Sequence, residues 1–384
     1  MKRIYLDNNA TTPVLPPVLE AMLPFLSEQF GNPSSAHMLG LEAREAIERA
    51  RDQVADLVGC ETGSVVFTSS ATEAINTAVS SATDRGLHCG RLVTTAVEHS
   101  AVLNYYSVLE KDGFEIVRVG VYQDGGLNLD ELETAITLGT RLVSVMWVNN
   151  ETGVKFPIKQ VSELCQSKGV LLHVDAVQAA GKVPIALQEL AIDYLSLSSH
   201  KVFGPKGVGA LIVGERAPFN PLHVGGHQEL GRRGGTENVA GIVGFGVATK
   251  LAREELDRRT ANVRPLRDRL ERAVIEQVPG AYINGLQSDR TPNTTSIGFP
   301  GVDSDTLVAT LDAEGISVSA GSACLSDSLV PSHVIMAMTH SYAKASEAVR
   351  FSLSHLNTQE EIDRTIEALL RALSRAKQAA SGSA

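Results

Sequence analysis

Cysteine is scarce in this chain of 384 residues: Cys60, Cys89, Cys165 and Cys324 are the whole supply. Their spacing matches no zinc-type pattern, and four thiols in so long a chain make no disulfide framework. They read as free thiols in a reducing cytoplasm, with no metal site expected. No apolar run approaches the ~20 residues that a membrane-spanning helix needs. Met1-Lys2-Arg3 leads into Ile4-Tyr5-Leu6-Asp7 without the apolar core of a signal peptide. Basic residues are outnumbered, 34 against 44 acidic, for a formal net charge of -10. That argues against nucleic acid or an anionic membrane as the main partner. Internal repeats and low-complexity blocks are missing as well.

What remains is an ordinary globular composition, 43% hydrophobic and 20% charged, long enough for one large domain and a smaller one. Short apolar runs alternate with amphipathic stretches. Strands are expected at residues 64–68, 91–94, 115–119, 142–148, 170–174, 194–197 and 208–213. The first six barely alternate in polarity, as parallel strands covered on both faces do. Helices are expected at 41–58, with Gly59 as its stop, and at 72–83, 101–111, 129–137 and 158–168. This alternation predicts a three-layer α/β/α domain on a mostly parallel seven-stranded sheet. The strand at 208–213 follows its predecessor after a short turn, so it should run antiparallel. A long helical region from 239 to about 278 leads into a smaller α+β part, with helices near 304–314 and 359–376. The partition expected is 15–255 for the large domain, with 1–14 and 256–384 forming the small one.

The richest local signal is Ser196-Leu197-Ser198-Ser199-His200-Lys201-Val202-Phe203-Gly204. It sets one lysine after an apolar strand, behind small hydroxyls and a histidine. A lone lysine in a Gly-rich turn is ordinarily a surface residue. In this company it can bond a carbonyl cofactor while the hydroxyls and imidazole hold a phosphate. Pyridoxal phosphate needs that set, with a carboxylate for its ring nitrogen. Asp175 follows the apolar strand 170–174 and is the candidate carboxylate, though a strand-end turn would use an aspartate too.

Other strand ends carry matching groups, each with a plainer alternative. Ala71 and Thr72 open a helix, where backbone N–H groups bind phosphate, or where a plain N-cap suffices. His99 could stack on a flat ring or sit in a loop. Asn150 could donate to a ring oxygen or belong to an Asn/Gly turn. Gln178 could donate to the same ring. Ligands of parallel α/β sheets sit at the carboxyl ends of strands, and these groups all fall there. Cys324 ends a small, polar Gly/Ser stretch, Ala320-Gly321-Ser322-Ala323, that suits a reachable thiol.

The whole chain resembles the cysteine desulfurases of the class V aminotransferase group, nitrogen-fixation (NifS-like) type. The blocks that carry the resemblance are Ile4-Tyr5-Leu6-Asp7-Asn8-Asn9-Ala10-Thr11-Thr12, Phe30-Gly31-Asn32-Pro33-Ser34-Ser35, Val148-Asn149-Asn150-Glu151-Thr152-Gly153, His173-Val174-Asp175-Ala176-Val177-Gln178, His200-Lys201, Arg233-Gly234-Gly235-Thr236-Glu237-Asn238, Gly321-Ser322-Ala323-Cys324 and Val349-Arg350-Phe351-Ser352-Leu353. The resemblance implies the type I fold of pyridoxal-phosphate transferases. It implies that Lys201 carries the cofactor and that Ala71, Thr72, Ser198, Ser199 and His200 hold its phosphate. His99 would stack on the ring, Asp175 pair with its nitrogen, and Gln178 and Asn150 contact cofactor or substrate. Arg350 would clamp the carboxylate of L-cysteine. Cys324 would become a persulfide, with Lys201 and His99 as the other catalytic groups. Thr236 would reach the phosphate in a second copy, which implies a homodimer. A sulfur-acceptor protein, such as an iron–sulfur scaffold, would follow. Ser70, Ala320, Leu325 and Val330 depart from residues common in the family, and none removes a catalytic group. Two other expectations stay open: a selenocysteine lyase or another pyridoxal-phosphate enzyme with Cys324 incidental, and a weakly active subunit that serves as a docking platform.

Overall fold

A computed structural model describes residues 3–83, 89–321 and 331–381. Thirteen strands and thirteen helices alternate along these residues. In chain order they begin with β1 (Ile4–Tyr5), α1 (Pro16–Met22), α2 (Pro24–Ser27) and α3 (Met38–Val58). Next come β2 (Val65–Thr68), α4 (Ala71–Thr83), β3 (Arg91–Thr95), α5 (Ser100–Lys111) and β4 (Glu115–Val119). Then follow α6 (Leu129–Ala135), β5 (Thr140–Met146), α7 (Ile158–Lys168), β6 (Leu171–Asp175), β7 (Tyr194–Ser198) and β8 (Gly209–Val213). The last third holds α8 (Val239–Glu254), α9 (Leu256–Gln277), β9 (Tyr282–Asn284), β10 (Thr294–Gly298), α10 (Ser304–Ala313), β11 (Ile316–Ser317) and β12 (Ser319–Ala320). It ends with α11 (His333–Thr339), α12 (Tyr342–Ser346), β13 (Ala348–Ser352) and α13 (Gln359–Ser381).

Seven strands form the main sheet in the order β2-β8-β7-β6-β5-β3-β4. All neighbours are parallel except β8, which runs antiparallel to both β7 and β2. The antiparallel strand is the one the short turn demanded. Gly209 lets β8 into this place: a Cβ there would lie 2.7 Å from the Leu197 carbonyl oxygen and from the Ser70 carbonyl carbon. Helices cover both faces. On one side α3, α7 and α8 share a core with β5, β6 and β7, including Ile47, Val54, Val145, Leu172, Leu195 and Phe245. On the other, α4 and α5 bury Ile75, Val79, Val102 and Tyr106 against Leu92, Leu142 and Leu211.

One expectation needs correction. The strand β4 is not buried on both faces; only Val119 in it is buried. It is one of the two sheet edges, paired with β3 alone, so one flank meets solvent. The expected helical region 239–278 is present as two consecutive helices that meet at Glu255, whose φ of -108° and ψ of 6° are not helical.

A second, four-stranded antiparallel sheet, β12-β13-β10-β9, forms a separate core with α9, α10 and α13. The chain's start joins it: Ile4 and Leu6 are in this core, and β1 pairs in parallel with β11. The start then crosses to the main sheet, and residues 8–12 run past the carboxyl end of β7. Among the described residues, no helix is long and apolar enough to cross a membrane.

Candidate active site

The carboxyl ends of β2, β3, β5, β6 and β7 share one rim, because β2 regains their direction across the antiparallel β8. The predicted residues at these ends therefore come together. The end of β7 enters a single 3-10 turn, Ser199–Lys201. Lys201 Nζ donates to the carbonyls of Asn9 at 2.6 Å and Ala10 at 2.7 Å. Behind it, Phe203 sits at φ 71°, a left-handed conformation that costs a non-glycine residue ~1–2 kcal/mol. Its N–H donates to Thr12 Oγ1 at 2.8 Å, and its ring meets His355 edge-on under the Arg259 guanidinium. These contacts hold the strained turn that aims Lys201.

Asp175 closes β6 in a buried position and accepts from the Val177 N–H at 2.9 Å through Oδ1. Burial pushes its carboxyl up, while His99 and Lys201 pull it back toward the ionised form. His99 caps α5, its Nδ1 accepting from Ala101 N–H at 3.1 Å, which leaves Nε2 to carry the proton. Gln178 donates through Nε2 to Asn9 O at 2.9 Å, and its Oε1 accepts from Lys182 Nζ. His200 meets Thr11 Oγ1 at 3.1 Å, and burial beside Lys201, Lys206 and Lys182 lowers it to about 4, so it is neutral at pH 7.

Ala71 and Thr72 open α4 behind a reciprocal cap. Ser70 Oγ accepts from Glu73 N–H at 3.2 Å, and Glu73 Oε2 accepts from Ser69 N–H at 2.8 Å. The plain cap and the open helix end thus coexist, leaving Thr72 exposed. Ser199 differs from its neighbours. Its buried hydroxyl has no partner among the described residues and lies where a Cβ on Gly204 would fall, 2.1 Å away.

Arg350 arrives from β13 and is 3% exposed. Its Nη2 meets Asp7 Oδ1 at 2.7 Å and its Nη1 donates to Asn150 O at 3.2 Å. Its buried Nε has no partner among the described residues. Asn149, rather than Asn150, makes the turn: its Oδ1 accepts from the Glu151 and Thr152 N–H groups at 2.9 and 3.0 Å. That leaves Asn150 half-buried at the rim.

Cys324 lies outside the described residues. Its flanks do not: a Cβ on Gly321 would fall 2.1 Å from Glu151 Oε2, and Ser332 Oγ donates to the same carboxylate. Both flanks thus meet the Glu151 carboxylate. The thiols of Cys60 and Cys165 are pushed up to about 12, chiefly by burial, so neither is a ready nucleophile. Thr236 stands apart from Lys201. It is exposed and lines a separate cavity of about 240 Å³ with Thr68, Ser69 and Arg233.

Several working groups escaped the sequence reading. Asp7 and Asn9 lay within a quoted block but carried no assigned role. Lys182 gave no signal beyond a Gly-Lys pair. Glu98 is wholly buried, with Oε1 accepting from Thr95 Oγ1 at 2.7 Å and Met146 N–H at 2.9 Å, and burial raises it to about 8. His173, between Ser144 Oγ at 3.1 Å and Ser196 Oγ at 2.9 Å, is lowered by burial to about 3 and is neutral.

The aminotransferase class-V family model matches residues 4–365. A cysteine desulfurase of Cereibacter sphaeroides is 48% identical over 382 residues, covering 97% of this chain and 98% of its own. A solved NifS-like protein superposes with a TM-score of 0.91 at 39% identity, covering 97% of this chain and 99% of that one. A structure of SspA in complex with cysteine superposes with a TM-score of 0.81 at 35% identity, covering 92% of this chain and all of that one (100%). Matched from Ile4 into the start of the last helix, with a lysine turn and a carboxylate side by side on the rim of its sheet, the chain belongs to the class-V aminotransferase family.

Proposed function

We propose that this chain is a cysteine desulfurase. It takes sulfur from L-cysteine, releases L-alanine, and holds the sulfur as a persulfide on Cys324 for an acceptor protein. The observation that carries this reading is the rim itself, where Lys201, Asp175 and His99 converge with a buried arginine whose Nε has no partner among the described residues. The names of the Cereibacter sphaeroides relative and of the cysteine-bound SspA agree with it.

The donor set suits pyridoxal phosphate. When bound, that group supplies an aldehyde for amines and a protonated ring that draws electrons from the substrate α-carbon. Lys201 would hold it through Nζ. Asp175, kept toward its ionised form by His99 and Lys201, would face the ring nitrogen. His99 would offer its flat face, and Gln178 and Asn150 their amides. The start of α4 at Ala71 and Thr72, with Ser198 and His200, would hold the phosphate. Ser199, turned to Gly204, would brace the turn that presents them.

The remaining work falls to side chains. Arg350 would bind the substrate carboxylate, for which its planar donors are shaped. Lys201, once released, would take a proton from the α-carbon at Nζ. The Cys324 thiolate would attack the substrate sulfur, forming an S–S bond as the C–S bond breaks. A proton returned to carbon completes alanine. Thr236 would serve a second copy, and the exposed Leu19, Leu23, Leu26, Phe30 and Met38 support such an interface.

The test is alanine and sulfide release from L-cysteine with a reductant, wild type beside Cys324→Ala. Equal yields from the wild type, lost in the variant, are expected. Full activity in the variant would make Cys324 incidental and point to another lyase.

A further inference from the structure

The ε-amino group of Lys201 points at two peptide carbonyls, Asn9 O at 2.6 Å and Ala10 O at 2.7 Å. Carbonyl oxygens accept hydrogen bonds but hold no proton, so this pair favours the charged ammonium. The backbone that presents it is tied down by the Asn9 side chain, which is 3% exposed. Asn9 Nδ2 donates to Thr294 Oγ1 at 2.9 Å and to Asn150 O at 3.0 Å. Its Oδ1 accepts from Asn293 Nδ2 at 3.1 Å, and its backbone N–H donates to Ser352 Oγ at 2.9 Å. Its own carbonyl also takes Gln178 Nε2 at 2.9 Å, an amide whose orientation is set by Lys182 on Oε1.

Two of these ties reach the second sheet, through Thr294 on β10 and Ser352 on β13. Arg350 lies on the same β13 strand, two residues before Ser352. Asn150 O is shared by Asn9 Nδ2 and Arg350 Nη1. The substrate-facing arginine and the carbonyls facing Lys201 are thus mounted on one frame.

We propose that Asn9 is a positioning residue for Lys201: it fixes the carbonyls of residues 9 and 10 as a clasp that holds the ε-amino group when no cofactor is bonded to it and registers it against the β10–β13 sheet. The clasp parks the lysine as an ammonium whenever it is not bonded to the cofactor. It keeps the amine in place for its return, and the amine reacts with an aldehyde only after shedding its proton. This inference rests on the function proposed above.

The test uses the cofactor-free protein. Pyridoxal phosphate is added across a range of pH, and the rate at which the lysine-linked chromophore appears is followed by absorbance. Asn9→Ala removes the side-chain ties to Thr294, Asn150 and Asn293 while keeping the backbone contacts to Ser352 and Gln178, and Thr294→Val removes one of those side-chain ties from the far side without touching the clasp. A loosened clasp stabilises the ammonium less, so the midpoint of the rate profile should move to lower pH. The shift expected for Asn9→Ala is at least about half a unit, with a smaller shift of the same sign for Thr294→Val. A merely structural role would change the final yield or the affinity and leave the midpoint in place. Midpoints matching the wild type would overturn the inference, and if Asn9→Ala fails to fold, Thr294→Val alone decides it. A wild type that forms no chromophore, or a chromophore retained in Lys201→Ala, would overturn the cofactor reading and this one with it.

Discussion

Replacing Arg350 tests the substrate site most directly. The side chain is buried, holds Asp7 at 2.7 Å and Asn150 O at 3.2 Å, and its Nε has no partner among the described residues. Arg350→Ala removes the proposed carboxylate clamp and strands Asp7 without its cation. Truncating one partner of a buried, hydrogen-bonded charge pair costs ~2–5 kcal/mol, which is about 30- to 4,000-fold at tenfold per 1.4 kcal/mol. The loss should fall on kcat/KM for L-cysteine, and chiefly on KM, because the carboxylate is bound alike in ground and transition states. Arg350→Lys keeps the charge but not the planar fork, so it should fall between wild type and alanine. The assay is alanine formation against L-cysteine concentration, with cofactor content read by absorbance. A kcat/KM within about threefold of wild type, at full cofactor loading, would refute the role, because that is only ~0.6 kcal/mol.

Two further changes probe Lys201 and Glu98. Lys201→Ala should abolish the lysine-linked chromophore and all turnover; spectra of the purified variant after adding pyridoxal phosphate check this. Glu98 is raised from 4.5 to about 8, so the folded protein keeps its proton after the unfolded chain has lost it. Its contribution to stability is full below about 4.5 and is lost as pH rises to about 8, with a slope of at most about 1.4 kcal/mol per pH unit. Glu98→Gln mimics the neutral acid and does not titrate, so denaturant unfolding should show the variant gaining on wild type from pH 5 to pH 8. Parallel stability curves would contradict it.

Much of the rim was readable because strand ends carry their chemistry within a few residues of sequence. Lys201, Asp175 and His99 each follow a β-rich run, and the parallel order brings such ends together. The antiparallel β8 was readable from loop length alone. What sequence could not yield were contacts between distant segments. Asp7 and Arg350 are 343 positions apart and meet because β1 pairs with β11 and Asp7, just beyond it, bridges Ser352 of β13. The junction at Glu255 falls at the expected domain boundary, although the residues on both sides keep a helical pattern. The edge position of β4 was hidden as well, since Glu115-Ile116-Val117-Arg118-Val119 is half apolar and only pairing decides what covers it. The left-handed Phe203 gave no warning, because sequence points to such conformations through glycine and asparagine.

The charge of the site opposes that of the chain. Overall the protein carries -10, yet Lys182, Lys201 and Arg350 gather at the rim with Asp7 and Asp175 as their near counter-charges. Lys182 reports the local excess: burial, then Lys201 and Arg350, push it down from 10.5 to about 7. Desolvation alone would not make it responsive to ligand, but the two cations do, because an anion bound among them cancels their repulsion. A phosphate or carboxylate entering the rim should therefore raise Lys182, and the protein should take up protons as it binds. Near pH 7.5, where a group at about 7 is mostly neutral, the uptake it contributes should reach at most about three-quarters of a proton. Calorimetry of pyridoxal phosphate binding to the cofactor-free protein, run in two buffers of different ionisation heat, counts those protons. Lys182→Met should bind with fewer protons taken up, the difference vanishing at low pH where Lys182 is already charged. An equal proton count in both proteins would mean that the field at Lys182 is set by burial and not by the cations that await the substrate.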